Sequence, residues 1–215
     1  MYLHTPYRYY TAAFSDDECD TIINMGKNYL EKAGIGHNTE DFAFDFETRN
    51  CHTSWINEKW IYEKVYAAIW DTNKKAGWEW EIDTLQPLQF TKYGVGEYYD
   101  WHVDNVFDCK GIYNDNESVN DSTLDLSRGK TRKISVTVNL VDGDEYDGGD
   151  LIFSDPKHVD RRFGKNGEKH PYTVNEVKVR GTIIVFPSFN YHKVTPVTRG
   201  TRYSLVAWAL GPPWK

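Results

Sequence analysis

From about residue 85 to its end the chain breaks into short runs in which apolar and polar residues alternate, each run stopped by Gly or Pro. The clearest is Lys133-Ile134-Ser135-Val136-Thr137-Val138-Asn139-Leu140, which keeps a period of two and is rich in β-branched residues. Further strands are predicted over 85–93, 98–103, 151–153, 174–179, 182–186, 192–197 and 203–209. Gly94-Val95-Gly96, Asp147-Gly148-Gly149 and Arg199-Gly200 provide turns between them. The earlier part reads differently. Ser15-Asp16-Asp17-Glu18 has the form of a capping box, with Ser at the cap and Glu three residues on. Ile22, Ile23, Tyr29 and Leu30 then give a helical stripe that ends near Gly34. A second helix is predicted from Asn57, on Ile61, Val65 and Ile69, ending before Gly77. Helices first and many short strands after them predict an α+β fold, with helices flanking an all-β core.

At roughly 150 residues per domain, 215 residues fit one sizeable domain. The expected layout is a single domain over 1–215, with a mainly helical support region over 1–84 and a β core over 85–210. Polar insertions interrupt the core near 106–131 and 154–172. The first leaves directly after Asp104 and is expected to act as a lid; the second reads equally as a functional loop or as surface decoration. Aromatic residues make up 15% of the chain, which excludes a disordered class. No apolar run approaches the roughly 18 residues of a spanning helix. The first residues lack a basic patch followed by an apolar stretch, so no secretory signal is expected. Cys19, Cys51 and Cys109 are too few and too scattered for a disulfide framework or a zinc ribbon, so a cytoplasmic, reducing setting is expected. A net charge of -7 makes nucleic acid an unlikely bulk electrostatic partner.

His102-Val103-Asp104 is the motif that carries chemistry. Residues i and i+2 of a strand point to one face, so imidazole and carboxylate converge. A second His from another strand would complete two His and one carboxylate, which hold one face of an octahedron and leave three positions open. His192 is the candidate. His158-Val159-Asp160 repeats the motif, but it lies in the polar insertion beside Arg161 and Arg162, whose charges would oppose a cation; it is expected to be a decoy. Arg202 follows His192 by ten residues, after the Arg199-Gly200 turn, and a hairpin would return it toward the same cavity. Of Tyr98 and Tyr99, Tyr99 is expected to face that cavity. Asp100, Asp147 and Asp150 are read as non-ligands, Arg199 as an exposed turn residue and Trp208 as packing.

These segments resemble the 2-oxoglutarate- and Fe(II)-dependent dioxygenase superfamily, and within it the prolyl-4-hydroxylase-like branch with its bacterial and phage hydroxylases of the PKHD type. The resemblance rests on 93–105, 135–140, Tyr146-Asp147-Gly148-Gly149-Asp150-Leu151 and 186–208. Among the N-terminal residues only Arg49 and Trp55 look familiar. It implies a double-stranded β-helix, or jelly roll, with the N-terminal helices packed on one sheet. It implies His102, Asp104 and His192 as iron ligands and Arg202 as the partner of the distal carboxylate of 2-oxoglutarate. Tyr93, Ser204 and Asn139 match positions that contact the cosubstrate in relatives. The implied cofactors are Fe(II), 2-oxoglutarate as cosubstrate and O2, with ascorbate in support.

The implied reaction couples decarboxylation of 2-oxoglutarate to succinate with hydroxylation of a prolyl or other residue of a peptide, protein or amino acid. Retention of Asp104 separates the chain from related halogenases, which lack that carboxylate. The competing readings are a nucleic-acid demethylase of the same superfamily and a non-catalytic jelly-roll binding module. The acidic charge speaks against the first, and the presence of all three ligands with Arg202 against the second. A zinc hydrolase would leave Arg202 and Tyr93 unexplained.

Overall fold

The computed structural model describes residues 5–33, 48–105, 129–154 and 171–214. The expected lid over 106–128, most of the second insertion, the second His-x-Asp at His158 and Asp160, and Cys109 lie outside the described residues.

Two helices are present, α1 (Asp16–Lys27) and α2 (Lys59–Lys75). Helix α1 starts where its cap dictates. The Glu18 N–H donates to Ser15 Oγ and the Ser15 N–H to the Glu18 carboxylate, which satisfies two of the helix's unpaired N-terminal donors. The strands are β1 (Arg8–Tyr10), β2 (Glu31–Lys32), β3 (Arg49–Asn50), β4 (His52–Ile56), β5 (Thr84–Leu85), β6 (Leu88–Tyr93), β7 (Tyr98–His102), β8 (Thr131–Asn139), β9 (Asp147–Gly148), β10 (Leu151–Ser154), β11 (Pro171–Thr173), β12 (Ile183–Pro187), β13 (His192–Val194), β14 (Val197–Arg199) and β15 (Arg202–Gly211). The larger sheet runs β1-β12-β8-β15-β6-β4-β2, with β5 also on β15. The smaller runs β11-β10-β13-β7-β3, and β14 pairs with β9. The ladders between these strands are antiparallel.

Three expectations need correction. The N-terminal part supplies not only the two helices but also β1 to β4, which join the two sheets; these strands of two to five residues carry too little alternation to stand out. The run 174–179 is not a strand but a 3-10 turn over Asn175–Lys178. Val174 and Val177, three apart, are the residues it buries, which is the spacing of a 3-10 turn and not of a strand. The predicted strands 85–93 and 192–197 are each divided near a proline, Pro87 and Pro196, which has no N–H for a ladder.

Directly opposed residues of an antiparallel pair share a face, so the register sorts the large sheet into two. One face carries Phe90, Val136, Val138, Ile183, Val185, Leu205 and Ala207. These join Ile22 and Ile23 of α1 with Ile61, Val65 and Ile69 of α2 in the main core. The other face turns toward the smaller sheet, as the packing of Ile184 and Phe186 against Leu151 and Phe153 shows. Along its middle this inner face is polar and still buried, with Tyr93, Thr91, Ser135, Thr137, Asn139, Arg202 and Ser204. Binary patterning would make such a face apolar, so the exception marks a site. Among the described residues no helix is long and apolar enough to cross a membrane.

Helix α1 lies close on the sheet because Gly26 has no side chain. A Cβ there would come within 2.2 Å of the Phe90 ring, and the Ser54 hydroxyl donates to the Gly26 carbonyl at 2.6 Å. Gly26→Ala should therefore destabilise the protein by about 1–3 kcal/mol through overpacking, read as a lower urea midpoint at unchanged m-value.

Candidate metal centre and anion pocket

His102 closes β7 and His192 opens β13, and the two are directly opposed in the ladder. Their imidazoles therefore share a face at the same level, with ring centroids 4.1 Å apart. Asp104 follows two residues after His102. Its N–H and that of Asn105 both donate to the Ser188 carbonyl, at 2.9 and 3.0 Å, which ties this corner to the end of β12. His102 Nε2 lies 3.7 Å from Asp104 Oδ1, and His192 Nε2 lies 3.8 Å from Asp104 Oδ2. The three donor atoms fall within 4.8 Å of one another, so a small inward shift of the side chains brings each to about 2.1 Å from a shared ion.

Both rings are held by the same device. His102 Nδ1–H donates to the Asp100 carbonyl at 2.7 Å, and His192 Nδ1–H to the Asn190 carbonyl at 2.8 Å. A carbonyl only accepts, so the proton sits on Nδ1 and the Nε2 lone pair faces Asp104. Asp100 thus serves through its backbone and not its carboxylate. Burial, joined by the nearby His192, pushes His102 down to about 3, leaving it neutral and able to ligate. Burial alone would raise Asp104. His192, His102 and Arg132, with a 2.6 Å hydrogen bond from the Ser135 hydroxyl, outweigh it and hold the carboxyl below its usual range. Ser135 sits 2.9 Å from Ser188 Oγ as well.

A β-bulge explains Tyr99. Residues three apart on a strand normally point to opposite faces, but β13 advances two residues from His192 to Val194 while β7 advances three from His102 to Tyr99. The Tyr99 ring is consequently stacked on His102, with centroids 3.5 Å apart and 11° between planes, the side expected from the sequence.

Arg202 is 1% exposed and lies directly opposite Tyr93 in register. Its Nη1 reaches Ser204 Oγ at a long 3.4 Å, its Nε has no partner, and its guanidinium stands 5.5 Å from the Tyr93 ring centroid. Among the described residues this guanidinium has no counter-charge, and a buried unpaired guanidinium is costly, so the pocket has the chemistry to accept an anion. The turn at Gly148-Gly149 makes the room. Both residues have positive φ, and a Cβ on Gly149 would press to 3.0 Å from Arg202 Cδ. Burial raises the Tyr93 phenol, which keeps it protonated and able to donate. Asn139 stands opposite Ser204 on the same face, but its Nδ2 is committed to the Val141 carbonyl at 2.6 Å. Its second Nδ2–H remains to donate, and its buried Oδ1 has no partner among the described residues.

Arg199 is exposed and pairs with Asp147 at 2.6 Å, and Asp150 pairs with Lys178 at 3.0 Å, so none of the three enters the site. Trp208 packs beneath Arg132, whose guanidinium lies 3.9 Å from its ring centroid. Sequence reasoning missed Ser135, Ser188 and Arg132 and gave Arg49 no role. A signal existed for Ser135, since Ser135, Thr137 and Asn139 are the polar alternates of a strand buried on both faces.

A sequence model of the 2OG-Fe(II) oxygenase superfamily matches residues 88–210. The chain is 30% identical to a PKHD-type hydroxylase of Xanthomonas campestris over 128 residues, 58% of this chain, and spans only 43% of that relative's length. Its fold is similar to that of a Pseudomonas putida prolyl-4-hydroxylase, with a TM-score of 0.63 at 17% identity over 96% of this chain and 92% of that one. It is also similar to a Trichoplax adhaerens prolyl hydroxylase in complex with a hypoxia inducible factor oxygen degradation domain peptide fragment, with a TM-score of 0.60 at 15% identity over 96% and 84%. The double-stranded β-helix core with helices on one sheet is thus the fold of these proteins.

Two outcomes follow from the geometry. Ser135→Ala frees the Asp104 carboxylate to rotate, and metal affinity, measured by competition with a chelator, should fall roughly 10- to 100-fold. In metal-free protein, the unfolded chain protonates His102 near pH 6.5 while the folded chain resists until about 3. Stability is whole above pH 6.5 and is lost as the pH falls, by about 1.4 kcal/mol per unit. Denaturant titrations at stepped pH should show this slope, and His102→Gln should flatten it.

Proposed function

Because the chain belongs to the 2OG-Fe(II) oxygenase superfamily, we propose that it is a 2-oxoglutarate-dependent hydroxylase acting on a prolyl or other residue of a peptide, protein or amino acid. The observation that carries this reading is Arg202, a buried guanidinium without a carboxylate partner among the described residues, on the inner face of a sheet whose Ser135 holds Asp104 of the His-Asp-His cluster. The donor set fits Fe(II): two imidazoles and one carboxylate leave three positions for cosubstrate and O2. Arg202 fits the far carboxylate of 2-oxoglutarate through paired N–H donors, with Tyr93 and Ser204 alongside.

With iron bound, O2 and 2-oxoglutarate supply the oxidation: one oxygen atom enters a substrate C–H bond as hydroxyl, the other enters succinate, and CO2 leaves. The chain's own residues do the rest. Asp100 and Asn190 fix the imidazole tautomers through their carbonyls, and Ser135 fixes the carboxylate. Cys51, Tyr93, Val194 and Val197 form a buried apolar cluster beside the pocket, which excludes water from it. Asn139 is read as part of the pocket wall. Ascorbate would act outside the coupled cycle, returning oxidised iron to Fe(II). The names of the relatives support the peptide class of substrate, and the whole is read as one catalytic domain.

The test is the visible spectrum of the purified protein without oxygen, after Fe(II) and then 2-oxoglutarate. A weak charge-transfer band that needs both is the expected result. It should vanish in His102→Ala, and Arg202→Ala should need at least about tenfold more 2-oxoglutarate to develop it. Bound iron with no band at any 2-oxoglutarate concentration would sink the reading.

A further inference from the structure

Apart from Arg202, two more arginines stand beside the metal ligands and are not consumed by the chemistry above. Arg49 is paired directly with Tyr99 across β3 and β7, and its guanidinium lies over the Tyr99 ring at 4.7 Å, while that ring lies on His102. Guanidinium, phenol and imidazole thus form one stack that ends on a metal ligand. Its Nε donates to Cys51 Sγ at 3.2 Å. Its two terminal nitrogens have no acceptor among the described residues.

Arg132 approaches from the other side. It would point at the helices if β8 were regular. At the β8–β15 ladder, however, Ala209 is opposite Ile134 while Leu210 is opposite Arg132, so Lys133 is an extra residue. This bulge turns Arg132 onto the inner face, flat on Trp208. Arg132 Nε donates to Gln86 Oε1 at 2.6 Å, and Nη1 makes a long 3.4 Å contact with the Asp104 carbonyl. Its Nη2 has no acceptor among the described residues, and the nearby Asp104 carboxylate is committed to the metal.

Two other arginines behave differently. Arg180 and Arg199 each hold a carboxylate, Asp20 and Asp147. Arg49 and Arg132, both half-buried, hold none among the described residues. Each is stacked on an aromatic face, so its planar fork is fixed before any ligand arrives, which reduces the ordering cost of binding an anion. Arg202 is taken by the cosubstrate's far carboxylate, and the metal's charge by Asp104 and the cosubstrate's near carboxylate. Arg49 and Arg132 are the positive charge left over.

We infer that the substrate carries a carboxylate next to the position that is oxidised, and that Arg49 and Arg132 receive it. The inference rests on the hydroxylase reading above and narrows its substrate class. A basic substrate is disfavoured at this site even though the chain as a whole is acidic. The carboxylate has two sources, an Asp or Glu side chain within a peptide or a free C-terminus, and the test separates them.

Protein loaded with Fe(II) and 2-oxoglutarate without oxygen is titrated with four matched peptide pools that share a randomised central residue. The pools are end-blocked with Asp and Glu flanks, end-blocked with Asn and Gln flanks, end-blocked with Lys flanks, and Asn and Gln flanks with a free C-terminal carboxylate. Displacement of the charge-transfer band reports binding without turnover. The expected result is that one carboxylate pool, acidic-flanked or free-ended, binds at least about tenfold tighter than the blocked amide pool. The preferred pool identifies the source. Arg49→Gln and Arg132→Gln should each shrink that preference toward unity, and Arg49→Lys and Arg132→Lys should restore part of it. Thermal melts alongside separate lost preference from lost fold. Equal binding of amide and carboxylate pools, a preference for Lys, no binding by any pool, or a preference that survives both Gln substitutions in one chain would overturn the inference. Failure of the band itself to form would instead overturn the hydroxylase reading.

Discussion

In the antiparallel ladder of β7 and β13, His102 faces His192, and everything functional in this molecule is arranged around that pair. Direct opposition puts two imidazoles on one face at one level, 4.1 Å apart. Two neighbouring carbonyls, of Asp100 and Asn190, then set both tautomers alike. Asp104 is delivered to the same point because the Ser188 carbonyl collects the N–H groups of Asp104 and Asn105 as the chain leaves β7. The centre is thus built from backbone hydrogen bonding, which fixes it more firmly than side-chain contacts alone would. Few rotatable bonds separate each donor atom from a paired strand.

The large sheet divides its labour between its faces. Its outer face is apolar and covered by α1 and α2, with Gly26 against Phe90 setting how closely α1 can lie. That burial stabilises the fold and permits an inner face that is polar without being exposed. Tyr93, Ser135, Arg202 and Ser204 stand there in register across β6, β8 and β15. A charge in such a place destabilises the empty protein and strengthens its grip on an anion, because both effects scale with the exclusion of water. The same reasoning covers His102, whose neutrality comes from burial and costs stability in acid.

Two bulges correct what regular strands would get wrong. The bulge in β7 places Tyr99 and His102 on one face although they are three residues apart. The bulge at Lys133 turns Arg132 inward, and the displaced Lys133 finds the Trp214 ring at 3.5 Å. Each bulge is one residue long, and each decides which side chain stands beside the His-Asp-His cluster.

The sequence by itself determined the features that depend on near neighbours. The capping box at Ser15 starts α1, the alternation of 133–140 makes β8, and His102-x-Asp104 with His192 and Arg202 names the site, since a period of two and a chain turn need no distant partner. Tertiary structure alone decided the rest. The short β3 and β4 exist because β7 and β6 pair with them. Val174 and Val177 are buried by a 3-10 turn because a core awaits that spacing. Asn139 turned its amide to Val141, and Ser135 found Asp104 across 31 residues. Arg49 and Arg132 reached the site only through strand register. Register is a property of two segments aligned against each other, and a one-residue slip reverses every side chain. No local pattern encodes it, so the ligands were legible and the residues that surround them were not.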